Sequence, residues 1–338
     1  MITESESSLK LLPKVELHLH LDCSLSFDVV SKLRPQISEI EYKKHFIAPA
    51  KCLDLADFLK CASNGINLMQ TEFELRSVVE DLFNQLKSEN VIYTEIRFAP
   101  LQHLDRGLSA EEVVEIVADS IKSSVESSQV QAKLILCTLR HFSETESLKT
   151  IKLVKSFIDK SCVVGFDLAA DEAGFPINNH IKAFEYAIKW DIPRTAHAGE
   201  AKGAESVWES LENFKPQRIG HGVRSIEDAS LINYLVNNQI HLEVCPTCNI
   251  QTNVFTEYYE HPIDFLYSKG VSVGINTDAR SLVNISLSEE YSKLMKVFNW
   301  EIIDLFKCNQ NAFNHAFISE EEKKVLQRKL ETGFKNYS

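Results

Sequence analysis

Two histidines two residues apart stand in the run Val15-Glu16-Leu17-His18-Leu19-His20-Leu21-Asp22. Strict alternation, the period of a β-strand, sends Val15, Leu17, Leu19 and Leu21 to one face and Glu16, His18, His20 and Asp22 to the other. The two imidazoles then converge on one point, which suits a divalent metal and which an ordinary core strand avoids. Later in the chain come His197-Ala198-Gly199-Glu200, His221 between Gly220 and Gly222, and Asn276-Thr277-Asp278. Three imidazoles and a carboxylate match the mixed N/O ligation of catalytic zinc, which keeps one position open for water. His18, His20, His197 and Asp278 are the candidate ligands, and such a metal lowers the pKa of bound water to roughly 7. His221 would overfill the set, so orienting or deprotonating the water suits it better. Glu200, three residues past His197, is placed to hold the proton that a leaving or ring nitrogen requires.

These side chains need a scaffold that brings distant segments to one rim. Short apolar or alternating runs begin near Val15, Ile92, Lys133, Val163, Arg194, Arg218, Ile240 and Val271, with helical patterns such as 110–123 and 226–237 between them. Strands alternating with helices imply a parallel sheet, and eight such units predict an α/β fold closed as a (β/α)8 TIM barrel. A doubly wound sheet is disfavoured because no Gly-x-Gly-x-x-Gly turn follows any run. Barrel enzymes place catalytic groups at the C-terminal strand ends, and every candidate ligand falls at the end of its run. The first crossover, about 23–90, is too long for one helix and predicts extra helices, one around 53–68, that could cover the mouth as a lid. The chain beyond Asp278 reads as helix, with C-terminal helices over about 286–338 and Ser319-x-x-Glu322 as a capping box. Repeats and linkers are lacking, so residues 1–338 read as one domain.

Composition narrows the partners. The 338 residues carry 36 Lys+Arg against 48 Asp+Glu, a formal net charge of -12. Such a surface repels nucleic acid and anionic membranes and favours a small neutral molecule. The start, Met1-Ile2-Thr3-Glu4-Ser5-Glu6, is polar and acidic, unlike a signal peptide, and no run is long enough for a membrane span. Eight scattered cysteines then read as free thiols of a cytoplasmic protein. Cys245-Pro-Thr-Cys248 lacks the second Cys pair of a zinc ribbon and reads as a structural loop at the barrel mouth. His45, His103, His141, His180, His241, His261 and His315 read as structural, and Glu95 with Arg97 as a buried pair.

The chain resembles the adenosine deaminase family of the amidohydrolase superfamily over most of its length. The motifs are Leu-Pro-Lys-Val-Glu-Leu-His-Leu-His-Leu-Asp at 12–22, Asp-Leu-Ala-Ala-Asp-Glu at 167–172, His-Ala-Gly-Glu at 197–200, Arg-Ile-Gly-His-Gly at 218–222, Cys-Pro-Thr-Cys-Asn at 245–249 and Asn-Thr-Asp at 276–278. The resemblance implies one zinc ion per chain, since the strand-four region around Asp167 has no bridging Lys. It further implies attack of zinc-activated water on C6 of a purine nucleoside, with Glu200 protonating N1. His221 and Asp278 position the hydroxide, and loss of ammonia gives a 6-oxopurine. His20, Asp22, Ala170, Asp278 and Ala279 are the implied substrate-side residues, Asp22 matching the position that meets the ribose 5′ hydroxyl.

Three departures bear on substrate range. Ala170 stands where the family usually has the Gly whose N–H meets purine N3. Ala279 stands where many members have an Asp on N7, a hydrogen bond worth about 1–3 kcal/mol unless water replaces it. Cys23 replaces the usual Gly after Asp22. Adenosine and 2′-deoxyadenosine are the expected substrates. The alternatives are adenine, 5′-methylthioadenosine, aminodeoxyfutalosine, or a silent nucleoside-binding barrel. The last would be expected to lose a ligand or Glu200, and this chain keeps them. The cytidine-type zinc deaminases fail on spacing, since they need His-x-Glu and Pro-Cys-x-x-Cys.

Overall fold

Each of the eight apolar runs becomes a strand, beginning within two residues of the expected position: β1 (Lys14–His20), β2 (Val91–Phe98), β3 (Gln131–Leu139), β4 (Val163–Ala169), β5 (Thr195–Ala198), β6 (Arg218–His221), β7 (His241–Val244) and β8 (Ser272–Ile275). The computed structural model describes residues 4–335. Met1, Ile2 and Thr3, half of the segment read against a signal peptide, lie outside the described residues, as do 336–338 at the end of the expected C-terminal helices. The strands β1 to β4 pair in parallel, as do β5 to β8. Parallel bridges Leu19–Asp278 and Phe166–Arg194 join the two halves at both seams. The result is the expected (β/α)8 barrel.

The strand faces differ in character. Leu17, Leu19, Ile96, Leu134, Leu136, Phe166 and Leu168 are buried in the main hydrophobic core. The lumen holds charge instead: Arg97, Arg218, Asp167 and Glu243 are fully buried. Here the expected Glu95–Arg97 pair is corrected. Arg97 binds Asp167 at 3.0 Å and Glu243 at 2.6 Å, whereas Glu95 binds Arg218 at 2.6 Å. A strand's like-facing neighbours lie side by side, and a long Arg reaches across the lumen to strands the sequence does not place beside it.

The first crossover carries helices Phe27–Leu33, Glu39–Phe46, Leu55–Ile66 and Glu72–Ser88. Asp54 caps the third by accepting from the Asp57 N–H. A Cβ at Gly65 would stand 2.5 Å from the Asp22 carbonyl oxygen, so glycine lets this helix lie directly on the turn after β1. After β8 come Leu287–Phe298, Ile302–His315 and Glu320–Lys335, and the Ser319–Glu322 capping box forms. Among the described residues no helix is long and apolar enough to cross a membrane.

Candidate active site

At the C-terminal ends of the strands, one ligand atom each from His18, His20, His197 and Asp278 lies within 4.8 Å of the other three. Asp278 Oδ1 stands 3.3 Å from His18 Nε2 and 3.4 Å from His20 Nε2. His20 Nε2 faces His197 Nε2 at 3.1 Å. Backbone bonds set this register: His20 N–H donates to the Asp278 carbonyl, and Asp278 N–H donates to that of His18. Glu16, on the histidine face of β1, accepts from Thr277 N–H at 2.9 Å and binds Arg280 at 2.7 Å, pinning the segment that carries Asp278. Gly220 has His18 Cε1 3.0 Å from where a Cβ would be, which lets β6 close onto the imidazoles.

The donor set fits a metal ion on its own chemistry. His18 Nδ1 lies 2.9 Å from Glu243 and His197 Nδ1 3.2 Å from Asp167, both deeply buried acceptors. Each ring therefore carries its proton on Nδ1 and turns a bare Nε2 inward, the pattern of metal-bound histidines with carboxylate partners. His18 Nε2 is buried without a hydrogen-bond partner, a vacancy a cation satisfies. Burial would raise the Asp278 carboxyl, but the surrounding imidazoles of His18, His20 and His221 hold it well below the usual carboxylate range.

Glu200 is nearly enclosed. Burial pushes its carboxyl well above the ordinary range, and the charges of Asp278 and Glu172 push it further. Its Oε1 has long contacts to Thr252 Oγ1 and Asn249 Nδ2, at 3.4 and 3.5 Å, while Oε2 lies 3.5 Å from His221 Nε2. The loop that carries it hangs on Glu172, whose carboxylate accepts from the N–H groups of Gly199, Glu200 and Lys202 and from Ser206 Oγ. Burial holds His221 well below the usual imidazole range.

Asp22 does not extend the strand. β1 ends at His20, and Leu21–Cys23 form a 3-10 turn. The turn still leaves Asp22 beside the site, where burial raises its carboxyl to about 6. His103 Nε2 lies 4.0 Å away, its Nδ1 bonded to the Met69 carbonyl. Ala170, His221 and Asp278 all adopt left-handed φ values of 77°, 60° and 64°. Such strain in non-glycine residues gathers at functional sites. Ala170 keeps the conformation natural to glycine, and Ala279 is buried in a small cluster with Cys245 and Cys248. The Cys245–Cys248 stretch is a short helix, Pro246–Gln251, rather than a loop, and the Cys248 thiol donates to Asp278 Oδ2 at 2.9 Å. All eight cysteines are free.

A cavity of about 580 Å³ reaches Glu200 from outside between Leu53, Asp54, Asp171, Arg224 and Phe255. Its carboxylates outnumber its cations, and Arg224 is held by Glu227 at 2.7 Å. Such a constellation can hold a metal, a polarised water and a protonated carboxyl around one carbon, the equipment of hydrolytic deamination. Sequence reasoning left four participants without a role: Asp167, Glu172, Glu243 and Asn249. The first two lie in the 167–172 motif, Asn249 ends the 245–249 motif, and Glu243 follows the alternation of β7. Only those local signals pointed to them.

Residues 13–332 match the family model described as adenosine deaminase. The chain is 34% identical over 327 residues to an adenosine deaminase of Clostridium acetobutylicum, with 95% of this chain and 97% of that one covered. It is similar in structure to an adenine deaminase of Arthrobacter aurescens (26% identity, TM-score 0.87, 96% and 99% covered). It also shares the fold of an N6-mAMP deaminase of Arabidopsis (24% identity, TM-score 0.86, 96% and 99% covered).

Proposed function

The chain belongs to the adenosine deaminase family, and on that premise we propose that it hydrolyses adenosine and 2′-deoxyadenosine to inosine and 2′-deoxyinosine plus ammonia with one zinc ion. The carrying observation is the convergence of His18, His20, His197 and Asp278 beside a carboxyl, Glu200, whose burial favours its protonated form. When bound, the metal would polarise water and bring its ionisation to roughly pH 7. Glu200 gives its proton to purine N1, which draws electrons from C6 as an oxygen adds there. His221 and Asp278 orient that oxygen. Of the two protons the water brings, one goes to the amino group, which leaves as ammonia as the C6–N bond breaks and C6 keeps the oxygen as a carbonyl. The other restores Glu200. Ala170 N–H meets N3, while Ala279 leaves N7 to water.

A nucleoside is favoured over a nucleotide because the mouth offers the carboxylates Asp54 and Asp171, its Arg224 is already paired, and Asp22 lies buried in the turn after β1. A 5′ phosphate would meet like charge there. Ammonia release from adenosine, adenine, 5′-methylthioadenosine and AMP tests the choice: adenosine should be turned over with the highest kcat/KM. A preference for adenine or AMP would contradict it. Asp22→Ala should lower kcat/KM for adenosine roughly tenfold to hundredfold, the worth of a hydrogen bond to a charged group, and leave 5′-deoxyadenosine nearly unaffected. Equal losses on both nucleosides would refute the ribose contact.

Glu172 supplies a pH test. Its charge helps hold the Glu200 proton, so Glu172→Gln lets Glu200 ionise at lower pH. The alkaline limb of kcat/KM, where Glu200 loses its proton, should move to lower pH in a pH–rate profile of the variant. A limb that stays in place would show that Glu200 does not feel this charge.

A further inference from the structure

We propose that Asn249 and His261 are positioning residues that lock His221 as a hydrogen-bond donor to the reacting oxygen and deny it the part of proton acceptor. The inference rests on the reading that His221 adjoins that oxygen. The backbone N–H of Ile263, which can only donate, gives its hydrogen bond to His261 Nδ1 at 3.2 Å. That nitrogen is an acceptor, so neutral His261 carries its proton on Nε2. His261 Nε2 lies 3.2 Å from Asn249 Oδ1 and donates to it. With Oδ1 taken, the amide nitrogen of Asn249 turns to His221 Nδ1 at 3.1 Å. An amide nitrogen only donates, so His221 Nδ1 accepts and the ring carries its proton on Nε2. That N–H faces the site, 3.5 Å from Glu200 Oε2 and 3.9 Å from Asp278 Oδ2.

The relay resists reversal. His221, Asn249 and His261 are each at most 2% exposed, so water does not stand in for a broken link. For Nε2 to take a proton from water, His221 would have to carry its proton on Nδ1, against the Asn249 N–H. Turning the amide over would set its N–H against that of His261, and His261 is fixed by the backbone. Every reversal leaves two buried donors facing each other without an acceptor.

The test reads the tautomer directly, by long-range 1H–15N correlation on histidine-labelled, zinc-loaded protein with His221 assigned from the His221→Gln variant. A protonated Nε2 and a bare Nδ1 are expected; a protonated Nδ1 would overturn the proposal. Asn249→Asp replaces the donor with an acceptor. It should move the proton to Nδ1 and lower kcat by roughly tenfold or more, with KM and zinc content kept. An unchanged tautomer or an unchanged kcat in that variant would also overturn it. Wild-type protein that shows the expected tautomer but deaminates no purine would contradict the proposed function and leave the relay standing.

Discussion

Glu200→Gln is expected to lose turnover by about two to four orders of magnitude, the range for removing a general acid, while keeping fold, metal and KM. The glutamine amide fills the same space and still accepts from Thr252 and Asn249, but it has no acidic proton to give N1. Metal content should hold because the contacts of Glu200 are His221, Asn249 and Thr252, none of them a candidate ligand. Steady-state kinetics on adenosine with zinc measured on the same sample checks both halves. A variant within tenfold of wild type would remove Glu200 from the proton-donor role.

Glu243→Gln should produce the largest loss of stability. Glu243 Oε1 accepts from Arg218 Nε at 2.6 Å, and Oε2 accepts from Arg97 at 2.6 Å and from His18 Nδ1 at 2.9 Å. All four side chains are fully buried. Burial alone would raise this carboxyl, but Arg97 and Arg218 hold it well below its usual range. Glutamine leaves two buried guanidiniums short of one negative charge and turns an N–H toward a donor. Breaking a buried pair from one side costs about 3–5 kcal/mol, to be read as a lower urea midpoint at constant metal. His18 also loses the acceptor that fixes its tautomer, so zinc affinity should fall about 10- to 100-fold in a chelator competition. An unchanged midpoint and affinity would mean that Glu243 is not the hub of the lumen.

The scaffold and the clustering of the candidate ligands were legible because both obey local rules. Alternation put His18 and His20 on one face, and the strand-end rule placed His197, His221 and Asp278 on the same rim. The lumen contacts were not legible. Arg97 meets Glu243 across 146 residues of chain, and nothing in β2 marks that partner over the nearer Glu95. His261 gave only the signal of a lone core histidine, and its link to Asn249 depends on the path of the loop between them. The left-handed backbone at Ala170, His221 and Asp278 was equally hidden, because none is glycine and the strain is imposed by the assembled rim.

The most direct measurement of the central claim is deamination of adenosine in 18O-labelled water by the zinc-loaded and chelator-stripped protein. Zinc-loaded protein should release ammonia and inosine in equal amounts, the inosine carrying one labelled oxygen at C6. Stripping should abolish the reaction, and one equivalent of zinc should restore it. Zinc-loaded protein that leaves adenosine untouched, or stripped protein that turns it over as well as before, would contradict the account.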